Sequence, residues 1–156
     1  MREMEQLPPA MVAAFAYGDS AMVEQYIPGV EVAVSVVDLG DGPLALPAVE
    51  IEPRGGVYDY AARYTAGETE FFVPARISSE QAQECATAAV SAHTALGLRD
   101  WSRIDFIVDE DGPVFLEANV APGMTETSLF PQAATAAGMT LGKVAATLVE
   151  ISSSRS

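Results

Sequence analysis

Lysine is almost missing from this chain: Lys143 is the only one, and basic residues total 8 against 22 acidic ones. The formal net charge of -14 argues against a nucleic-acid partner, because holding a phosphate backbone depends on clustered Lys and Arg. Cysteine is equally scarce. Cys85 has no second thiol with which to form an internal disulfide, and no charged start, apolar run and small-residue cleavage site marks a secretory leader, so a cytoplasmic protein is expected. Apolar runs are short and broken by Gly, Pro or charge. They fall well below the roughly 20 residues that cross a bilayer, so no membrane span is expected. What the chain does have is 49% hydrophobic residues over 156 positions, enough for one moderate core and one domain spanning 1-156.

Residues Pro9 to Tyr17 are rich in Ala and end at Gly18, which predicts a short helix. Ala21 to Tyr26 has strand composition, Pro28-Gly29 predicts a turn, and Glu31 to Leu39 is rich in β-branched residues. The cluster Gly40-Asp41-Gly42-Pro43 turns the chain into a second strand, Leu44 to Ile51. Glu52 to Ala75 has little periodicity and predicts a long surface connection around short extended pieces. Ser78 and Gln81 have capping-box spacing at the start of the clearest helix, Ser78 to Leu96, with Ala82, Cys85, Ala86, Ala89 and Leu96 along one face and Gly97 at its end. Cys85 and His93 fall on or beside that face. Neither has a Cys or His at ligand spacing, so both are expected to be packed core residues. Helices are expected over Ser128 to Ala137 and Leu141 to Ile151, with a frayed tail from Ser152 to Ser156.

Between those helical stretches lie two strands, Arg103 to Asp109 and Val114 to Asn119, around the turn segment Glu110-Asp111-Gly112-Pro113. Side chains alternate along a strand, so Arg103 and Asp105 share one face, as do Glu117 and Asn119. Pairing of Asp105 with Glu117 or Asn119 implies an odd turn of about five or three residues, and it would converge three oxygen ligands on one spot suited to a hard divalent cation. Taken alone, the pattern favours the solvated face of an amphipathic hairpin. The segment that follows, EANVAPGMTETSL, adds a Pro-Gly turn directly before a helix, with Ser128 as its cap. Backbone N-H groups at such a helix start suit a carboxylate or oxyanion.

The string RIDFIVDEDGPVFLEANVAPGMTETSL resembles the C-terminal signature of D-alanine-D-alanine ligases, members of the ATP-grasp superfamily. The resemblance runs back through VYDYAARYT to VEQYIPGVE and forward through FPQAATAAGM, and so covers nearly the whole chain. It implies an α+β fold, the ATP-grasp C-terminal lobe, with a mostly antiparallel sheet and packed helices. It also implies that Asp105, Glu117 and Asn119 hold two Mg²⁺ ions, or Mn²⁺ in their place, on the phosphates of ATP. Arg103 and the backbone of Gly123 would stabilise a tetrahedral oxyanion. Ser128 and the backbone of Leu129 would take the carboxylate of the second D-alanine, with Tyr64 closing the site. Glu24, the backbone of Ile27, and Glu31 would read adenine and ribose, with Ile107 and Leu116 against the base; on composition alone these five are ordinary strand and core positions.

The implied chemistry is a ligation. ATP and one D-alanine form an acyl phosphate, and the amine of a second D-alanine attacks it to give a peptidoglycan precursor. The chain lacks the family's N-terminal substrate domain and Gly-rich phosphate loop, so a separate N-terminal half is an expected partner. At the position in YDYAARYT where the family has a phosphate-binding lysine, this chain has Arg63, a planar fork in place of a flexible point charge. Two further readings stand beside a partial ligase: a non-catalytic Mg-nucleotide-binding remnant, and another ATP-grasp carboxylate-amine ligase.

Overall fold

The computed structural model describes residues 3–54, 68–125 and 127–155. Six strands form one sheet, β1 (Val30–Asp38), β2 (Pro43–Ala45), β3 (Val49–Pro53), β4 (Thr69–Phe72), β5 (Trp101–Asp109) and β6 (Gly112–Asn119). Their order is β4-β3-β1-β5-β6, with β2 also paired to β1, and every pairing is antiparallel. Helix α1 (Leu7–Phe15) precedes the sheet, α2 (Ser79–Ala95) packs on one face, and α3 (Leu129–Ala136) and α4 (Leu141–Ser153) cover the other. This is the α+β class expected, and no helix among the described residues is long and apolar enough to cross a membrane.

The central strand explains why its sequence reads as an apolar run. On β1, Val32, Val34 and Val36 face α2, and Ala33 and Val37 face α3 and α4, so both faces exclude water and alternation fades. Val49, Ile51, Phe130 and Leu148 complete the second core, where Trp101 meets Phe130 edge-on at 5.6 Å. Each such side chain contributes about 1.5–3 kcal/mol when fully withdrawn from water.

Helix α2 begins as its sequence predicts. Ser78 Oγ accepts from the Gln81 N-H at 3.1 Å, and Gln81 Oε1 accepts from the Ser78 N-H at 3.1 Å, a reciprocal capping box. It ends on Gly97 at φ +63°, with the Leu98 N-H donating to the His93 carbonyl at 3.0 Å. The buried face holds Cys85, Ala89 and His93. Leu96, expected on that face, is 56% exposed because it is the C-cap, where the chain leaves the helical path. Cys85 is wholly buried, and desolvation pushes its thiol up to about 11.

Several expectations need correction. Leu44 to Ile51 is two strands rather than one, because Pro47 has no N-H to give the ladder and the pairing breaks around it. Residues 21–26 form no strand: Met22 and Val23 are exposed and take no part in the sheet's ladders among the described residues. Within Glu52 to Ala75 the short extended pieces expected are present among the described residues, with β3 running to Pro53 and β4 beginning at Thr69. The described part of the tail is not frayed, since α4 continues to Ser153 and Arg155 reaches Asp100 at 2.6 Å.

His93 supplies a testable consequence. Its Nδ1 lies 2.8 Å from Ser102 Oγ, and burial lowers its pKa below the ordinary 6.5, with Asp38 and Asp100 opposing that shift. The unfolded chain therefore binds a proton more readily than the folded one. The stability from neutral His93 is present above about pH 6.5 and is lost as pH falls through the lowered folded value. Thermal melts at about pH 5 and pH 7.5 should show a smaller gap for His93→Asn than for the natural sequence; equal gaps would assign the acid sensitivity elsewhere.

Candidate functional site

The β5–β6 hairpin brings four polar side chains to one face of the sheet. Its register sets Asp105 opposite Glu117 and Arg103 opposite Asn119. Uniform pairing would require an odd turn, yet β5 ends at Asp109 and β6 begins at Gly112, leaving the two-residue turn Glu110-Asp111. The expected odd turn is therefore corrected, and the reason is a bulge. Beyond Asp105 the partner of Phe106 is Phe115, so Leu116 is the extra residue that no β5 residue opposes. The bulge returns Glu117 to the face of Asp105 while allowing the tight turn.

At this face Arg103 forms a two-pronged contact with Asp105. Nε donates to Oδ1 and Nη2 to Oδ2, both at 2.7 Å, and Nη2 also lies 3.7 Å from Glu117 Oε1. The side chains of Arg103 and Asp105 are 12% and 8% exposed, whereas Glu117 is 58% exposed. A buried carboxylate is thus neutralised by a parallel fork, the strongest geometry open to the pair. Ser35 lies opposite Arg103 on β1, and its buried hydroxyl has no hydrogen-bond partner among the described residues. Sequence reading missed Ser35, although a serine within VEVAVSVVD is a polar interruption of an apolar strand.

Asp105, Glu117 and Asn119 offer only oxygen donors, which suits a hard cation. The two fork contacts leave about half of the lone-pair sites of the Asp105 carboxylate available. Asn119 Oδ1 accepts from the Ala121 N-H at 3.0 Å, bending the chain out of β6. Among the described residues no three Asp, Glu, His or Cys side chains form a metal cage; the third donor is the Asn119 amide. The set fits a cation that keeps waters or phosphate oxygens in its shell.

Four residues beyond Asn119, Gly123 meets the start of α3. A Cβ on Gly123 would lie 2.7 Å from Ser128 Oγ, so a side chain there would force that hydroxyl to move. Ser128 occupies the N-cap position, but its side chain does not cap the helix as expected. Its Oγ turns back to Thr125, accepting from the N-H at 3.2 Å and lying 2.8 Å from Oγ1. Leu129 is the first helical residue, so its N-H has no partner within α3, while its side chain is buried.

The expected nucleotide-reading residues are only partly gathered. Glu31 pairs with Ile107, on the same face as Asp105 and about 7 Å along the strand. Gly29 presses on this strand: a Cβ there would lie 2.6 Å from Ile107 Cγ2. Ile27 is half-buried, Glu24 is exposed on an irregular segment, and Leu116 is the 46% exposed bulge residue. Arg63 and Tyr64 lie outside the described residues. A cavity of about 540 Å³ between Pro28, Gln81, Val108 and Asp109 to Asp111 lies at the turn end of the hairpin and touches none of the metal-ligand candidates. Side-chain chemistry, not cavity size, marks the site.

A second ion pair helps to set the frame. Glu50 is buried in β3, where Arg76 donates to it from its backbone N-H at 2.8 Å and from Nε at 3.0 Å. The side-chain hydrogen bonds from Arg76 hold the Glu50 carboxyl below its ordinary range. This clamp fixes the approach to α2. A charge between Val49 and Ile51 was the sequence signal for it.

The family model described as D-ala D-ala ligase C-terminus matches residues 1–150. A D-alanine--D-alanine ligase from Halalkalibacterium halodurans is 44% identical over 150 residues, covering 95% of this chain and 49% of the relative. One from Pelotomaculum thermopropionicum is 45% identical over 148 residues, covering 94% and 46%. Among solved structures, VanG D-Ala:D-Ser ligase from Enterococcus faecalis matches with a TM-score of 0.81 and 32% identity, covering 95% of this chain and 43% of that one. D-alanine--D-alanine ligase from Bacillus anthracis complexed with ATP matches with a TM-score of 0.76 and 27% identity, covering 96% and 48%. The chain spans about half the length of the curated relatives it matches.

Removing the fork should leave a buried carboxylate without its counter-charge. Arg103→Ala is expected to cost about 2–4 kcal/mol in urea unfolding. Arg103→Ala combined with Asp105→Asn should recover part of that loss. Strict additivity of the two substitutions would show that the pair does not interact.

Proposed function

Because this chain belongs to the family of D-alanine-D-alanine ligase C-termini, we propose that it supplies the metal- and nucleotide-holding lobe of an ATP-dependent ligase that joins two D-alanines through an acyl phosphate. That reaction serves peptidoglycan precursor synthesis in the cytoplasm. The observation that carries this reading is the hairpin register, with Asp105 against Glu117 and Arg103 against Asn119.

Asp105, Glu117 and Asn119 would hold two Mg²⁺ ions, or Mn²⁺ in their place. When bound, these cations neutralise phosphate charge, which a chain with one lysine is poorly supplied to do alone. Arg103, oriented by its fork to Asp105, and the Gly123 N-H are the donors for the tetrahedral oxyanion. Preorganised donors of this kind stabilise charge as it develops, without reorganisation at the moment of attack. The Ser128 hydroxyl and the Leu129 N-H take the carboxylate of the second D-alanine, and Tyr64 closes over it. Glu24, Ile27 and Glu31 read adenine and ribose, Ile107 and Leu116 pack on the base, and Arg63 meets phosphate. No protein nucleophile is required, because the acyl phosphate is itself the activated species.

The remaining half of the ligase, with the first D-alanine site and the Gly-rich phosphate loop, would come from further polypeptide. The span of about half the relatives' length also favours a second reading, a lobe that binds Mg-nucleotide without completing ligation.

Titration calorimetry with Mg²⁺ and a non-hydrolysable ATP analogue tests the site. Asp105→Ala and Glu117→Ala should each abolish the Mg²⁺-dependent binding of the natural chain; undiminished binding in both would remove the metal assignment. The 156-residue chain given ATP, Mg²⁺ and D-alanine should release no D-alanyl-D-alanine. Detectable dipeptide would overturn the view that it is only part of the machinery.

A further inference from the structure

One buried hydroxyl has no part in the hydrogen bonds of the hairpin site. Ser35 is 1% exposed in the middle of β1, and its Oγ has no hydrogen-bond partner among the described residues. A buried hydroxyl left unpaired is costly, and the large majority of such groups in native proteins are paired. Alternation along β1 puts Ser35 on the face of Ala33 and Val37, under α3 and α4, and the ladder with β5 sets it opposite Arg103. Across three strands one row therefore runs Ser35, Arg103, Asn119, and the next runs Ala33, Asp105, Glu117. Cβ atoms of directly opposed residues lie about 4.5–5.5 Å apart, a span that an arginine side chain covers. Ala33, Val37 and Leu46, also beside Ser35, are apolar and buried, so Arg103 is the polar side chain that the ladder delivers to this hydroxyl.

We propose that Ser35 is a positioning residue, an alternate partner that receives Arg103 when a divalent cation engages Asp105. The guanidinium gives up one prong of its fork, donates an N-H to Ser35 Oγ, and so stays seated beside the reacting centre. This rests on the reading of Asp105 as a metal ligand. In the fork, each oxygen of Asp105 accepts an N-H from Arg103 at 2.7 Å. A cation on the same carboxylate sets like charges against one another at short range, and of the two the guanidinium is the one on a flexible stem. Arg103 therefore yields, and it needs another acceptor within reach of its own backbone position.

The other polar neighbours of Arg103 do not serve. Glu117 Oε1 lies 3.7 Å from Nη2, beyond hydrogen-bond reach, and Glu117 belongs to the same candidate ligand set as Asp105. Asn119 Oδ1 already accepts from the Ala121 N-H at 3.0 Å. Ser35 has the one buried acceptor on this row with no such engagement. The handover also accounts for a polar residue within VEVAVSVVD. An alanine there would pack beside Ala33 and Val37 with no hydroxyl to desolvate, so the hydroxyl is useful only where a donor comes to it.

Ser35→Ala should act in opposite directions with and without the cation. In chelator, the variant removes an unsatisfied hydroxyl and should leave the urea midpoint unchanged or raise it. With Mg²⁺ and a non-hydrolysable ATP analogue, it should bind about tenfold more weakly in titration calorimetry, because Arg103 then leaves Asp105 with no acceptor to take it. In an Arg103→Met background, which keeps the apolar stem and removes the donors, Ser35→Ala should no longer change that affinity. A lowered midpoint in chelator would overturn the proposal by showing that the hydroxyl already has a partner. Equal weakening in both backgrounds would overturn it too, since the hydroxyl would act without Arg103. Full affinity in Ser35→Ala beside a loss in Asp105→Ala would sink the handover and leave the metal reading standing. Binding that is independent of Mg²⁺ in both the natural chain and Asp105→Ala would remove the metal reading and the handover with it.

Discussion

Leu116 has no opposite number on β5, and the placement of that one surplus residue determines what the polar end of the sheet can do. With the bulge next to Phe106, Glu117 returns to the face of Asp105, and the turn can still close in two residues. A slip of one residue would send Glu117 to the α2 face, where Val32, Ile104 and Phe106 are packed. The Phe106–Phe115 edge contact, with ring centroids 6.4 Å apart, holds the register on that apolar side. Packing on one face therefore fixes the chemistry of the other.

The same division runs through the sheet. Apolar residues of β1 fix its ladder with β5 over eight pairs, from Val30–Val108 to Val37–Trp101, and the polar group of Ser35, Arg103 and Asp105 is embedded in that ladder. The Arg103 fork neutralises a carboxylate that would otherwise be costly to bury. Local charge balance of this sort is independent of the acidic total. The net -14 is distributed mostly over exposed positions, where it favours solubility and sets the sign of the long-range field.

Much of this was legible from residues alone. The α2 capping box, the terminator Gly97 and the two strands around Glu110-Asp111 depend on local signals, and each appears where those signals lie. The bulge was not legible, because a surplus residue shows itself only against its partner strand; the hairpin arithmetic instead suggested an odd turn. Pro47 was the readable clue that Leu44 to Ile51 would break, and its missing N-H outweighs the β-rich composition around it. The segment from Ala21 to Tyr26 failed for a different reason. Strand composition expresses a capacity for pairing, and the ladders of the sheet among the described residues do not include this segment. At the site, Asp105, Glu117 and Asn119 were readable from alternation, while the tie between Arg103 and Asp105 and the turning of Ser128 toward Thr125 required coordinates.

Cys85 carries a practical corollary. The chain's sole thiol is sealed between α2 and the sheet, and its raised pKa keeps it protonated at neutral pH. Thiolate is the reactive form, so an alkylating reagent meets this sulfur chiefly when α2 lifts away. The protein thus contains a single-site chemical clock for opening of its interior, readable by mass shift without adding or removing any residue.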